Sequence, residues 1–415
     1  MTSVSTSTTA AAPAQSGAEI LAEYNLESSF FFASQARTIL AQGVREIIAE
    51  PGGSATGELP KRVAAALTAL ASSGHGRPLA VGALPFDGRS PAHLLVPRTV
   101  QITGPVDAAS LSPRVASRVF ARRMGMSPQR EEYLRGIERA LASIRNDELS
   151  KVVLSRMLEL RLSQPVDLPL LLQRLAKQNA AGYTFAVKLP EVRPAGSAGE
   201  ENAPARMLLG ASPELLVSRS GNTVFANPLA GSAPRSPDPE EDQRRANALL
   251  ASEKDRREHA VVVEAVAAAL RPFCRSLSVP PRASLLHTPA MWHLSTQITG
   301  ELADPSVSSL ELALALHPTP AVCGYPTARA RAAIGEIEPF DRGYFTGLVG
   351  YCDAAGDGEW AVTIRCAEIS GDAVRLYAGG GIVAGSAPER ERAEIAAKMR
   401  TVLSALGLDP LPEDL

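Results

Sequence analysis

The stretch FTGLVGYCDAAGDGEWAVTIRCAEISGDAVRLYAGGG, residues 345–381, decides the fold class of this chain. It predicts three β-strands, at 345–351, 359–366 and 373–378, with connections short enough for hairpins. Strands joined in this way pair antiparallel, whereas parallel strands need a long crossover. A helix is predicted next, at 388–406. The stretch therefore favours an α+β architecture with mainly antiparallel sheets over a doubly wound parallel sheet.

The same mixture of strand runs and separate helices continues toward the N-terminus. Helices are predicted at 58–72, 128–147, 167–179, 239–271, 306–316 and 327–334. Strands are predicted at 79–84, 93–97, 99–103, 150–160, 183–189, 206–210, 214–219, 223–226 and 292–299. Some passages also read as strand–helix–strand units, so a partly parallel sheet stays open.

The chain divides into four predicted regions. Small residues at 1–18 indicate a disordered tail, and 406–415 forms a second tail. Between them we predict the N-terminal part of the domain at 19–127 and the catalytic region at 128–405. The Pro-, Gly- and Glu-rich segment 190–205 is interpreted as an exposed loop within the catalytic region.

Composition excludes several classes of protein. The chain has 415 residues and a formal net charge of −2, which argues against a broad nucleic-acid-binding surface. No apolar run is long enough for a membrane span, and the N-terminus lacks the basic start and apolar core of a secretory signal. The four cysteines form no CxxC pair and predict neither a zinc site nor a disulfide framework. We therefore expect a cytoplasmic protein.

Two predicted helices carry carboxylates at helix-face spacing. Asp255, Glu258 and His259 stand at i, i+3 and i+4 in EKDRREH, and Glu391, Glu394 and Lys398 share a face in PERERAEIAAK. Magnesium prefers oxygen ligands and commonly takes one or two protein carboxylates. Two such helices facing each other could supply that site, whereas each face alone is equally compatible with a solvated surface.

Several other residues could carry chemistry. Lys151 opens the apolar strand KVVLSR, and Glu214 begins a strand in GASPELLV, so the two could act as base and acid or could be ordinary edge charges. Arg365 lies in the apolar strand VTIRC and needs a partner, either an internal carboxylate or a ligand. The glycines of AGGGI could form an anion-binding nest or a tight turn. Locally, His293 is interpreted as a satisfied core histidine.

Read together, these segments resemble the chorismate-utilising enzymes. That family includes isochorismate synthases, salicylate synthases and the large subunits of anthranilate and aminodeoxychorismate synthases. The resemblance rests on ten motifs that occur in the family order over 128–405: KVVLSR, GASPELL, NPLAGSAPR, EKDRREH, HLSTQITG, LHPTPAVCG, RGYFTG, VTIRCA, YAGGGIVAGS and PERERAEIAAK. Residues 19–125, with SSFFFAS, resemble the N-terminal part of the siderophore-type isochorismate synthases.

The resemblance implies a fold and a set of roles. The family fold is one large domain in which two β-sheets pack face to face with helices outside. Glu258 and Glu394 match magnesium-binding glutamates, with Asp255 and Glu391 at supporting positions. Lys151 matches the residue that activates water, and Glu214 matches the general acid. Substrate-binding positions are matched by Gly231, His293, Ala321, Arg365, Gly379, Gly380, Gly381 and Lys398.

The resemblance also indicates which reaction to expect. Ammonia-using members typically carry Gln at the position of Lys151, and a Gln cannot deprotonate water. Salicylate synthases usually carry Thr at the position of Ala321 and Tyr at that of Phe345. Ser232, where many members have Thr, is a minor departure. These positions imply magnesium-dependent conversion of chorismate to isochorismate, by addition of water at ring carbon 2 and loss of the hydroxyl at carbon 4.

Three alternatives stay open from the sequence. A salicylate synthase would go on to eliminate pyruvate, and an ammonia-using synthase would need a glutaminase partner, which we do not expect here. A non-catalytic anion-binding protein of the same fold is the third. Catechol siderophore biosynthesis is the expected pathway, with menaquinone or salicylate routes as alternatives. We expect a monomer with chorismate as its small-molecule substrate, and neither nucleic acid nor membrane as a partner.

Overall fold

The computed structural model describes residues 15–48, 56–74, 77–88, 90–112, 120–190 and 204–408. Most residues of the tails predicted at 1–18 and 406–415 and of the loop predicted at 190–205 lie outside these ranges, but Gly17, Ala18 and Leu406 are helical and not part of a tail.

The helices of the described chain are separated along the sequence, as predicted. They are α1 Gly17–Ala22, α2 Leu59–Ser72, α3 Arg130–Arg145, α4 Leu168–Gln178, α5 Pro239–Ala251, α6 Glu253–Leu270, α7 Ser309–Leu316, α8 Thr327–Ile337 and α9 Pro388–Leu406.

The strands are more numerous than the sequence predicts. They are β1 Ser28–Ala33, β2 Thr38–Gln42, β3 Glu46–Ile48, β4 Leu79–Leu84, β5 His93–Val96, β6 Thr99–Thr103, β7 Ala121–Ser127, β8 Lys151–Leu162, β9 Tyr183–Lys188, β10 Arg206–Ser212, β11 Leu215–Ser220, β12 Thr223–Asn227, β13 Leu229–Pro234, β14 Cys274–Ser278, β15 Ser284–His287, β16 Met291–Ser295, β17 Ile298–Leu302, β18 Gly324–Tyr325, β19 Leu348–Asp353, β20 Gly358–Val362, β21 Cys366–Ser370 and β22 Ala373–Val383.

These strands form two large sheets and one small one. Sheet 1 has the order β18-β8-β22-β21-β10-β9-β1-β2-β6, with β7 also paired to β8. Sheet 2 has the order β14-β17-β12-β11-β20-β19-β4-β5-β3, and β13, β16 and β15 form the small sheet. Neighbouring strands are antiparallel, for example β22 on β8 and β19 on β20. The prediction of an α+β chain with mainly antiparallel sheets is therefore confirmed.

The two large sheets pack face to face. Their shared core includes Phe30 and Phe185 from sheet 1 and Val81 and Val349 from sheet 2, all fully buried. A second core lies between sheet 1 and helices such as α3, α4 and α9, and a third lies between sheet 2 and α2, α6 and α7. This is the face-packed arrangement with outer helices that the family resemblance implies. Burial of apolar surface on both faces of each sheet stabilises it.

The predicted helix at 239–271 is wrong in one respect, because it is interrupted at Ser252. This residue has extended backbone angles, φ −64° and ψ 115°, and its hydroxyl accepts a hydrogen bond from the Asp255 N–H at 3.2 Å. A serine that caps the next helix in this way ends the one before it. After the break, α6 carries Glu258 to Lys151 of sheet 1 and Asp255 to Gly231 of the small sheet.

The predicted strand at 292–299 is in fact two strands in different sheets. β16 belongs to the small sheet, and β17 belongs to sheet 2. Residues 292–299 mix apolar and polar side chains throughout, without a glycine or proline to mark the change of sheet. Similarly, Pro113 and Pro128 suggest an irregular segment at 106–127, but this interpretation is wrong at its end, where β7 pairs with β8.

From the sequence, Ser127 is a possible N-cap of α3 because it precedes Pro128, but this interpretation is also wrong. Gln129, and not Ser127, occupies the N-cap position, and its side chain makes no capping bond. Ser127 instead ends β7.

The residues before 128 do not form a separate body. β1, β2, β6 and β7 belong to sheet 1, and β3, β4 and β5 belong to sheet 2. Three of the four cysteines are buried, Cys274 is half-buried, and all four are free thiols. Within the described ranges, the structure contains no helix with both the length and the apolar character of a membrane span.

Candidate active site

A cleft of about 670 Å³, its open mouth included, lies where the two large sheets meet the small sheet. Its walls come from segments far apart in sequence, including β8, β13, α6, β22 and α9. Ten of the predicted site residues line it: Glu214, Gly231, Glu258, His293, Ala321, Arg365, Gly379, Gly381, Glu394 and Lys398. Lys151, Gly380, Glu391 and Asp255 lie behind this lining. The fold thus gathers residues that local sequence reasoning could not connect.

The glycine run 379–381 forms neither a nest nor a tight turn, so both local interpretations of AGGGI are wrong. The three glycines lie inside β22, in antiparallel register with Ser155, Leu154 and Val153 of β8. A methyl group on Gly381 would collide with the carboxylate of Glu258. Because these three residues have no side chains, groups from other elements can lie close to the backbone of β22.

Lys151 occupies part of that room. It is the first residue of β8, only 1% exposed, and its ammonium lies 2.9 Å from the Glu258 carboxylate. Glu258 reaches it from the second turn of α6. This buried ion pair joins the predicted base to one of the predicted magnesium ligands, and spacing alone gave no sign of it.

Glu214 provides an acid at neutral pH. It lies between β10 and β11 and is almost completely buried. Burial raises the pKa of Glu214 to about 7, although a hydrogen bond from the Leu229 N–H and the charges of Lys151, Arg365 and Lys398 act in the opposite direction. Because the neutral carboxyl is favoured away from water, a large fraction of Glu214 still carries its proton near pH 7, where an ordinary glutamate is ionised.

Arg365 does not lie in a strand, contrary to the prediction from VTIRC. It falls between β20 and β21 with φ +51°, a left-handed conformation that is rare for residues with a side chain. It is buried, and its Nη2 has no hydrogen-bond partner among the described residues. Burial lowers the pKa of Arg365 to about 10, so it keeps its charge. Of the two partners left open, the geometry favours a ligand.

His293 is buried but not satisfied, so the local interpretation of it as a satisfied core histidine is wrong. Its Nε2 has no hydrogen-bond partner in the described part of the chain, and the residue lines the cleft. Burial, together with the charges of Arg365 and Lys398, holds its pKa well below the ordinary value. A neutral imidazole with a free nitrogen suits a polar group of a ligand.

Glu394 and Lys398 form the opposite rim from α9. The Lys398 ammonium lies 2.6 Å from the Glu394 carboxylate and donates to the Gly379 carbonyl at 2.8 Å. The Ser232 hydroxyl donates to Glu394 at 2.8 Å. Burial favours the neutral acid, but Lys398 and Ser232 outweigh it and lower the pKa of Glu394. Glu394 is therefore a carboxylate with a free side toward the cleft.

Glu391 and Asp255 support this rim from behind. Glu391 is buried and lies 2.9 Å from the Lys254 ammonium, which ties α9 to α6. Asp255 lies next to Gly231, whose φ of +78° brings the backbone of β13 close to α6. Burial and neighbouring carboxylates raise the pKa of both acids. Repulsion among these carboxylates is what a bound cation would relieve.

Magnesium fits the two carboxylates at the cleft surface. No group of three or more metal-binding side chains converges on one point within the described ranges. Magnesium does not require one, because it keeps waters and commonly takes only one or two protein carboxylates beside its ligand. Glu258 and Glu394 supply that number, and both face the cleft.

Thr346 is a cleft residue that sequence analysis missed. It has φ +57°, lies next to Phe345, and donates its N–H to the Thr363 carbonyl at 2.8 Å. Phe345 stacks on Tyr377 with ring centroids 5.0 Å apart, and both rings line the cleft. RGYFTG contains Thr346, but nothing in the motif signals a left-handed backbone there.

Comparison with known proteins identifies relatives along almost the whole chain. Residues 106–407 match the family described as chorismate binding enzyme. Isochorismate synthase DhbC of Bacillus subtilis is 54% identical over 94% of this chain and 96% of its own length. The vibriobactin-specific isochorismate synthase of Vibrio cholerae is 43% identical over 92% of both chains.

A solved structure agrees with the sequence matches. The crystal structure of a protein from Bacillus anthracis, described as a 2,3-dihydroxybenzoate-specific isochorismate synthase, superposes with a TM-score of 0.87. It is 49% identical, and the match covers 95% of this chain and all of that one.

Proposed function

This chain belongs to the chorismate-binding enzymes, and we propose that it is a magnesium-dependent isochorismate synthase. The conversion of chorismate to isochorismate moves a hydroxyl group from ring carbon 4 to ring carbon 2. It needs a base for the entering water, an acid for the departing hydroxyl and groups that hold two carboxylates. No electron is transferred, so the protein supplies position, charge and a shielded cleft.

One observation carries the proposal above the others. Glu214, a buried acid whose pKa is about 7, lines the cleft, and the charge of the buried Lys151 behind the lining acts on that pKa. In the proposed reaction the amine of Lys151, in its neutral form, takes a proton from the water that attacks ring carbon 2. Glu214 gives its proton to the hydroxyl that leaves carbon 4, so the departing group is water and the ring double bonds shift. A proton-bearing carboxyl and an amine are the two partners that this exchange requires.

The remaining polar groups hold the substrate. Arg365, with its unpartnered Nη2, and Lys398 are cations placed to bind the substrate carboxylates, and the free nitrogen of His293 faces the same space. Glu258 and Glu394 would hold magnesium, which when bound would neutralise a substrate carboxylate and fix its position. The glycine run of β22 leaves space for the ring.

The names of two relatives support a siderophore pathway. One is vibriobactin-specific and the other 2,3-dihydroxybenzoate-specific, and 2,3-dihydroxybenzoate is a catechol acid. We therefore assign the product to catechol siderophore biosynthesis. The proposal includes a cytoplasmic monomer that uses water and needs no glutaminase subunit.

Product analysis tests the function directly. Wild-type protein incubated with chorismate and Mg²⁺ at neutral pH should form isochorismate and stop at an equilibrium mixture, because the two isomers differ by small bond changes. Chromatography of the mixture over time measures this, with pyruvate assayed in parallel. Ala321 offers no hydroxyl to hold isochorismate for pyruvate elimination. Pyruvate that appears in step with chorismate loss, without an isochorismate peak, would instead identify a salicylate synthase.

Magnesium dependence tests the two cleft carboxylates. Glu394→Ala or Glu258→Ala should raise the Mg²⁺ concentration for half-maximal turnover by about tenfold or more, because each removes a ligand oxygen. The Mg²⁺ titration midpoint is the quantity to compare, since the rate also reflects the loss of a partner for Lys398 or Lys151. Glu253→Ala is the matched control, because Glu253 is an exposed glutamate on the same α6. Midpoints that match the wild type in both variants would show that neither glutamate binds the metal.

A further inference from the structure

An ion pair that the proposed reaction does not use lies buried behind the cleft. Arg342 donates from Nε to one oxygen of Glu338 at 2.8 Å and from Nη2 to the other at 2.6 Å. The two side chains are 2% and 1% exposed. We call Glu338 and Arg342 the anchor pair. Since buried charges are costly unless they are fully hydrogen-bonded, the remaining contacts of this pair indicate its role.

The anchor pair fills a gap along the edge of β8. β18 pairs with β8 only at Lys151 and Val152, and β7 begins to pair at Met157. Between these points the Ser155 N–H donates to Glu338 at 2.7 Å, and the Val153 carbonyl accepts from Arg342 at 2.8 Å. Two charged side chains therefore replace the missing length of neighbouring strand.

The other side of the guanidinium reaches two further walls of the cleft. Arg342 Nη1 donates to the Val322 carbonyl at 2.8 Å and to the Thr346 hydroxyl at 3.3 Å. Val322, Thr346 and Val153 all line the cleft. Thr346 is held in a left-handed conformation that persists only where its surroundings impose it. A single guanidinium thus joins three separate segments of the cleft wall, one of which begins with Lys151.

We propose that Arg342, with Glu338 as its counter-ion, is a positioning residue that fixes Lys151 and the facing cleft walls at the distance the reaction needs. This inference rests on the proposed function. Arg342 touches no reacting atom and lies outside the cleft lining, so its effect reaches the substrate through β8, Val322 and Thr346. A misplacement of about 1 Å in such a framework can cost about 100-fold in rate.

Two variants separate positioning from stability. Arg342→Lys keeps the positive charge. A lysine ammonium, however, cannot bond both carboxylate oxygens of Glu338 and also the three groups of the cleft wall. The double variant Glu338→Leu with Arg342→Met removes both charges together, which proteins tolerate far better than the loss of one partner. For each, kcat and KM are measured on folded protein, at a temperature well below its own unfolding midpoint. We expect kcat to fall about 100-fold in both, with KM for chorismate within about threefold of wild type.

Arg219→Lys is the control for a buried arginine that bonds backbone carbonyls. Arg219 is 6% exposed and donates to the carbonyls of Gly221 and Pro305, outside the cleft lining. We expect its kcat to stay within about twofold of wild type. Repeating Arg342→Lys in a Lys151→Ala background adds a second readout. If Arg342 acts through Lys151, the further loss should be under about threefold, because groups that act together are not additive.

Three results would overturn the inference. The first is a folded double variant with the wild-type kcat. The second is a loss of kcat from Arg342→Lys that is the same whether Lys151 is present or replaced by Ala. The third is failure of both anchor-pair variants to fold, which would assign the pair to folding alone. Failure of the proposed function is distinguishable, because neither wild type nor Arg219→Lys would then turn over chorismate.

Discussion

Replacing Lys151 by Gln or Ala should abolish isochorismate formation while leaving chorismate binding largely intact. Lys151 is the proposed base, and loss of a general base typically costs about 100- to 10,000-fold. The other cleft lysine, Lys398, is engaged with Glu394 and the Gly379 carbonyl and cannot replace it. A Gln can still form hydrogen bonds, so Lys151→Gln separates proton transfer from simple polarity.

The measurement is chorismate turnover at saturating Mg²⁺, with binding followed by the shift in thermal unfolding that chorismate produces. Lys254→Gln is the control for the loss of a lysine that forms an ion pair, because Lys254 of α6 pairs with Glu391 of α9 and has no proposed part in proton transfer. That control should retain most of the activity. Full activity in either Lys151 variant would remove this residue from the mechanism.

Replacing Glu214 by Gln should cost a similar factor, about 100- to 10,000-fold, and should also change the pH profile. The reaction uses the protonated carboxyl. Since the pKa of Glu214 is about 7, the active form prevails below pH 7 and is lost as the pH rises above it. Wild-type kcat/KM should therefore decline on the alkaline side with an apparent pKa near 7. An amide has no such proton to lose, so the residual activity of Glu214→Gln should lack this decline.

The pH profile is measured from initial rates with chorismate across pH 5 to 9, at Mg²⁺ concentrations that saturate at each pH. Retention of the same alkaline decline in Glu214→Gln would mean that another group causes it. A wild-type rate in that variant would exclude Glu214 as the acid.

The fold class could be predicted because its signals are local. The strand runs at 345–378 and the final helix show in short windows of sequence, and the structure contains them with shifted ends. The break at Ser252 and the change of sheet near Thr296 could not be predicted in the same way. The change of sheet depends on packing against distant segments, and the cap at Ser252 competes with residues on both sides that suit a continuous helix.

The residues of the candidate site could likewise be predicted only in part. Spacing on α6 and α9 correctly put Glu258 and Glu394 on helix faces, but it could not distinguish a cleft from a solvated surface. The contact of Lys151 with Glu258 joins residues far apart in the chain, and only the order of motifs connected them beforehand. The anchor pair could not be predicted, because the four-residue separation of Glu338 and Arg342 does not indicate that both side chains are buried.

The glycine run of β22, which lines the cleft, limits how this enzyme could be redesigned. Glycines 379 and 381 face Ser155, Lys151 and Glu258 so closely that an added methyl group would displace groups of the proposed chemistry. Protein engineers seeking a different product would gain nothing by mutating there. Ala321, Val322 and Phe345 also line the cleft, and their side chains carry no charge or proton of the proposed chemistry. A library restricted to those three positions would test new specificities, while the glycine run of β22 and the groups that lie on it stay unchanged.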